Sequence, residues 1–200
     1  MSPFVISNFL ASHDRTELLA QLSSPELQWK LASQLGRSAT GLAYQLADGE
    51  QHGRDPMVRV GRFVASAVYD ELIRCAVLAA GAAVLPQVFP VLMYGDPRQP
   101  PAQETHVDSA IVSGERRHPL ITTVYYPLVH EAEGGLLVAL DGDEERLSEI
   151  ALSPATNDLI VMTGTQRHRV TPLVRGYRVS VIANFYSEES DAGIGGSDPS

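Results

Sequence analysis

The chain has 200 residues, 44% of them hydrophobic and 20% charged, which sets it apart from disordered and collagen-like chains and suffices for a substantial buried core. Fifteen basic against twenty-four acidic residues give a formal charge of -9. Such a balance provides no general attraction for nucleic acid or an anionic membrane. The single cysteine, Cys75, excludes an internal disulfide framework and fits a reducing compartment. No apolar run reaches the ~20 residues of a membrane helix, and the N-terminus lacks the positive segment of a secretory signal. The expected location is the cytoplasm, with no membrane and no nucleic-acid partner.

Phe4 to Ile6 read as a short first strand. Ser12 and Asp14, with Glu17 three residues after Asp14, mark a helix start ahead of Leu18, Leu19 and Leu22. Residues 35–60 are rich in Gly, Arg, Gln and Asp without clear periodicity, so irregular structure with at most short strands is expected there. A second helix is expected over about 61–80, where Val64, Val68, Leu72, Cys75, Ala76 and Ala79 recur at helical spacing and Gly81 stands near a C-cap.

After Gly81 the pattern changes to short segments between turn residues. Candidate strands are Val88–Tyr94, Thr105–Asp108, Leu120–Tyr126, Leu136–Leu140, Leu147–Leu152, Asp158–Met162, His168–Thr171 and Tyr177–Tyr186. Many are rich in Val, Ile, Thr and Tyr, as pleated surfaces favour. A helical preface followed by about eight strands predicts a mainly β fold with flanking helices, a double-stranded β-helix or jelly roll. One domain is expected over 1–186, with 1–87 as helical and irregular support and 88–186 as the jelly-roll core. Residues 187–200 are expected to form a flexible tail.

His106-Val107-Asp108 places two metal-ligand side chains at i and i+2, which point to the same face of an extended segment. His168, in another β-rich stretch, is the best third ligand. Two imidazoles and one carboxylate on one side of an ion leave open positions opposite, the arrangement of non-heme iron(II) oxygenases. On these residues alone the metal reading stands beside a bland one, because a strand histidine is commonly structural. His13, His52, His118 and His130 lack comparable partners. Ten residues after His168 comes Arg178, with Ser180 on the same face of the final strand. A guanidinium fork binds a carboxylate with two parallel hydrogen bonds, and a hydroxyl adds a further donor. An arginine pointing into an apolar barrel needs an anionic partner, from a ligand or from an internal Asp or Glu.

From His168 through Arg178 to Ser180 the chain resembles the closing signature of iron(II)- and 2-oxoglutarate-dependent dioxygenases, nearest to the prolyl-4-hydroxylase-like (PKHD-type) branch. Tyr94-Gly95 ahead of His106-Val107-Asp108, the segment Leu120 to Tyr126, the turn Glu133-Gly-Gly-Leu136 and the segment Asn157 to Met162 stand in that branch's order. The match covers about 88–186 well. The resemblance implies iron(II) bound by His106, Asp108 and His168, with these as the catalytic centre. It further implies 2-oxoglutarate held through Arg178, Ser180 and Tyr126, with Tyr94 lining the same pocket. With them the resemblance implies dioxygen as the oxidant and ascorbate as a reductant. The implied activity is hydroxylation of an aliphatic C–H bond, coupled to decarboxylation of 2-oxoglutarate to succinate and carbon dioxide. Related halogenating enzymes carry a small residue in place of Asp108, so its presence favours hydroxylation, or a related desaturation or cyclisation.

The expected substrate is a small molecule, an amino acid or a natural-product intermediate, approached through 35–60, Asp96–Glu104 and Ser109–Pro119. Arg98, Arg116, Arg117 and Arg167 are candidates for a substrate carboxylate. Peptidyl prolyl hydroxylation is the alternative. A nucleic-acid demethylase conflicts with the acidic charge, and a non-catalytic jelly roll or a zinc hydrolase gives Arg178 and Ser180 no role. Pro127-Leu128, the missing Glu before Leu136, and Asn184 in place of a frequent aromatic residue depart from the branch, so its substrate preference does not transfer.

Overall fold

The computed structural model describes residues 1–24, 39–41, 44–45, 56–96, 103–112, 114–142 and 148–188. In chain order these form β1 (Phe4–Ile6), α1 (Ser12–Leu22), β2 (Ala39–Gly41), β3 (Tyr44–Gln45), α2 (Pro56–Arg74), β4 (Val84–Tyr94), β5 (Gln103–His106), β6 (Ala110–Val112), β7 (Glu115–Arg117), β8 (Ile121–Gly134), β9 (Leu137–Asp141), β10 (Ser148–Leu152), β11 (Asp158–Thr163), β12 (Arg167–Val170) and β13 (Leu173–Ser187). All strand pairings are antiparallel. The major sheet runs β1-β11-β8-β13-β4-β2, with β3 also on β4, and the minor sheet runs β10-β9-β12-β5. Strands β6 and β7 form a separate hairpin. This is the expected jelly roll.

Alternation along the strands sorts side chains into two cores. On β13, Val181, Ala183 and Phe185 face a cluster with Leu18 and Leu22 of α1 and Val60, Val64, Val68 and Leu72 of α2. Arg178, Ser180 and Ile182, one residue out of step, face the cavity between the sheets. Strand β8 divides likewise, with Ile121 and Tyr125 toward the helices and Val124 and Tyr126 inward.

Several boundaries differ from the sequence reading, with β4 and β13 starting four residues earlier than expected, and two of the differences have a clear backbone cause. Helix α2 covers 56–74 rather than 61–80. It begins on Pro56, whose missing N–H costs nothing at a helix start. It stops because Ala76 adopts φ 56°, and Val77 N–H and Ala76 N–H close back on the carbonyls of Leu72 and Ile73. That is a Schellman ending with alanine in the left-handed position, five residues before Gly81. Strand β8 continues through Pro127 to Gly134 instead of ending at Tyr126. The register with β13 shifts between Val179 and Val181, so a bulge takes up the proline where no ladder N–H is needed.

The 35–60 segment contributes the short strands β2 and β3 and the start of α2, and its remainder, including any lid, lies outside the described residues. So do Arg98 and residues 189–200 of the expected tail. Among the described residues no helix is long and apolar enough to cross a membrane.

Candidate metal and cosubstrate site

The two histidines meet because their strands pair. His168 on β12 is the direct cross-strand partner of His106 on β5, and the ring centroids lie 4.3 Å apart. Asp108 lies just beyond β5, which ends at His106 rather than at Asp108 as expected. The i, i+2 relation still brings it to the same side, and ligand atoms of His106, Asp108 and His168 all fall within 4.8 Å of one another.

Protonation of the imidazoles follows from their hydrogen bonds. His106 Nδ1 lies 2.8 Å from the carbonyl oxygen of Glu104, and His168 Nδ1 lies 2.9 Å from that of Gln166. A carbonyl only accepts, so each Nδ1 donates and each neutral ring turns an Nε2 lone pair inward. His106 Nε2 is buried without a hydrogen-bond partner, 3.3 Å from Asp108 Oδ1. A lone pair facing a carboxylate is unfavourable unless a cation or proton lies between them. These residues therefore fit a metal ion, and the donor set suits iron(II). The Asp108 carboxylate raises the His106 pKa against the opposing effect of burial, whereas burial lowers that of His168. Burial pushes the Asp108 carboxyl up, but His106, the potential of His168 and the Thr122 hydroxyl outweigh it and leave the pKa below the ordinary carboxylate value.

The cavity beside this cluster measures about 160 Å³ and reaches Asp108 and His168 at one side and Tyr126, Arg178 and Ser180 at the other. Arg178 is only 2% exposed. Its Nη1 donates to the carbonyl of Gly135, Nη2 contacts Met93 Sδ at 3.3 Å, and its Cζ lies 5.3 Å from the Tyr126 ring centroid. Nε is buried without a hydrogen-bond partner, and no carboxylate among the described residues forms an ion pair with the guanidinium. Burial accordingly lowers the Arg178 pKa and raises that of Tyr126. Ser180 Oγ bonds only loosely to the Val91 carbonyl, at 3.4 Å.

Six expected site residues thus converge on one cavity and metal cluster. Tyr94 does not. The residues of β4 that line the cavity are Phe89, Val91 and Met93, so the pleat turns Tyr94 outward, 59% exposed and beside Tyr177. Tyr125 also faces away, as expected, and donates to Asn157 Oδ1 at 2.9 Å. Sequence reasoning missed Gln103, which lines the cavity, and the partners of Asp108. Thr122 donates to Asp108 Oδ2 at 3.1 Å, and His118 Nδ1 lies 2.7 Å from the Asp108 carbonyl oxygen. Period-two alternation from Tyr126 does place Thr122 on the inward face, the one available signal.

Residues 91–186 match the family model of the 2OG-Fe(II) oxygenase superfamily. This segment, just under half of the chain, is of that superfamily. The protein is an enzyme whose chemistry uses iron(II), 2-oxoglutarate and dioxygen. Its fold is similar to that of a Pseudomonas putida prolyl-4-hydroxylase, with a TM-score of 0.62 and 16% identity over 94% of this chain and 93% of that one. A Trichoplax adhaerens prolyl hydroxylase in complex with a hypoxia inducible factor oxygen degradation domain peptide gives 0.59 and 18%, over 93% and 84%. The epimerase SnoN from nogalamycin biosynthesis gives 0.59 and 15%, over 99% and 87%. At these identities the likenesses speak for the fold. No curated protein matches the oxygenase by sequence.

Proposed function

We propose that this oxygenase hydroxylates an aliphatic C–H bond of a small molecule, an amino acid or a natural-product intermediate, with His106, Asp108 and His168 holding iron(II) and Arg178 holding 2-oxoglutarate. The observation that carries the reading is one cavity with a metal-ligand cluster at one side and a buried, carboxylate-free arginine at the other. When bound, iron(II) with 2-oxoglutarate and dioxygen supplies an oxidant strong enough to break a C–H bond, releasing succinate and carbon dioxide.

The chain's own part is binding, orientation and exclusion of water. The imidazoles are fixed as Nε2 donors by their Nδ1 hydrogen bonds, and Asp108 contributes the one anionic ligand. Arg178 offers its fork to the far carboxylate of 2-oxoglutarate, Ser180 adds a hydroxyl, and the Tyr126 ring covers the guanidinium. Phe89, Val124 and Ile182 wall the space between the two ends with apolar surface.

The cavity volume is below the ~300–1,000 Å³ of pockets for drug-sized ligands, which suits a compact dicarboxylate lying between the triad and Arg178. Hydroxylation of a prolyl residue in a peptide is the second reading, supported by the fold likeness to a prolyl hydroxylase in complex with a peptide. Succinate release decides between them. Free amino acids are expected to accelerate it above the uncoupled rate where proline-containing peptides do not, and the reverse result would favour the peptide. His106→Ala should abolish both iron binding and succinate release, and full activity in that variant would contradict the ligand assignment.

A further inference from the structure

We infer that Thr122 is a positioning residue which makes Asp108 a one-oxygen metal ligand, an inference that rests on the reading of the triad given above. A carboxylate has two oxygens that compete for a cation, and an open facial site needs one of them. Asp108 Oδ1 is the oxygen turned to the imidazoles, 3.3 Å from His106 Nε2. Oδ2 accepts the Thr122 hydroxyl at 3.1 Å. The two oxygens therefore have separate tasks.

Asp108 has more need of such support than either histidine. His106 and His168 stand within paired strands, each ring tied to a carbonyl two residues back in the chain. Asp108 lies past the end of β5, where no ladder holds its backbone. Two hydrogen bonds from residues 118–122 replace the ladder, one from the His118 ring to the Asp108 carbonyl and one from Thr122 to the side chain. Thr122 is rigidly placed for this: it is 2% exposed and paired on one side with Met162 and on the other with Asn184. Asn184 Oδ1 is buried without a partner, yet the Thr122 hydroxyl goes to the charged acceptor, where the bond is stronger. Removing the hydroxyl frees Asp108 to rotate, to bind with both oxygens or with neither.

The test is an anaerobic cobalt(II) titration of the full-length protein, read by the visible d–d absorption that reports coordination geometry. Thr122→Val should weaken cobalt(II) binding roughly 10- to 100-fold, the usual effect of losing a hydrogen bond to a metal ligand, and change the band shape. Thr122→Ser, which restores the hydroxyl, should bind like wild type. The apparent affinity for 2-oxoglutarate at saturating metal should be unchanged, because Arg178 is untouched. Circular dichroism and Tm verify folding, and Thr122→Ala replaces the valine variant if that one does not fold. A valine variant with wild-type affinity and spectrum overturns the inference, as does a serine variant that loses as much as valine. If the wild type takes up no metal, the triad assignment itself falls. A metal-binding wild type with an indifferent Thr122→Val contradicts this inference alone.

Discussion

A buried guanidinium without a carboxylate beside it is costly to keep in a protein interior. Arg178 is such a group, and in the proposed function its cost is offset when a dicarboxylate enters the cavity. Two charge-assisted hydrogen bonds at ~1.5–3 kcal/mol each imply that Arg178→Met lowers affinity for 2-oxoglutarate by at least about 100-fold while leaving metal affinity in place. Calorimetry would measure both. The thermal protection that 2-oxoglutarate gives the iron-loaded wild type should vanish in the variant, and unaltered affinity would contradict the role. Gly135 supports the same side chain. Its φ of 64° is costly for residues with a Cβ, its carbonyl accepts from Arg178, and a Cβ there would lie 3.0 Å from Nη1. Gly135→Ala should cost roughly 1–2 kcal/mol of stability and weaken 2-oxoglutarate binding about tenfold, measured by urea denaturation and calorimetry. The convergence of the triad, Arg178, Ser180 and Tyr126 was legible through the resemblance to the family's closing signature, while i, i+2 spacing in strands put His106 with Asp108, and Arg178 with Ser180, on common faces. Tyr94 failed by the same rule, since it is out of step with Phe89, Val91 and Met93. The roles of Thr122 and His118 were hidden, because they depend on how residues 109–120 fold back onto Asp108.

At the scale of elements, apolar periodicity located both helices and every strand of the two-sheet framework from β4 onward, apart from the β6–β7 hairpin. Helix α2 was displaced because the boundary lay in backbone geometry, at Pro56 and Ala76, rather than in the apolar pattern. Strand β8 outran its signal because a bulge admits Pro127. The hairpin carried little pattern to read, with three-residue strands bearing an exposed Ile111 and charged neighbours. The helices pack on the outer face of the major sheet and do not line the cavity. Leu72→Ala should therefore cost about 2–5 kcal/mol of stability while leaving affinity for iron(II) and 2-oxoglutarate unchanged. Loss of cofactor affinity in a folded variant would show that the two cores are coupled.

For the whole molecule, the antiparallel sheets bring together residues more than sixty positions apart, so that a candidate metal-ligand cluster from β5, its C-terminal flank and β12 faces an arginine on β13 across about 160 Å³ of cavity. The central claim is that the two ends act together on one molecule, iron(II) taking the 2-oxo acid and Arg178 the far carboxylate. The most direct measurement is anaerobic: iron(II) is added to the full-length protein, then 2-oxoglutarate, and the visible spectrum is recorded. A weak visible charge-transfer band is expected, as for a 2-oxo acid chelating iron at an open facial site, developing at far higher 2-oxoglutarate concentrations in Arg178→Met. Folded, iron-loaded protein that shows no band on adding 2-oxoglutarate would contradict it.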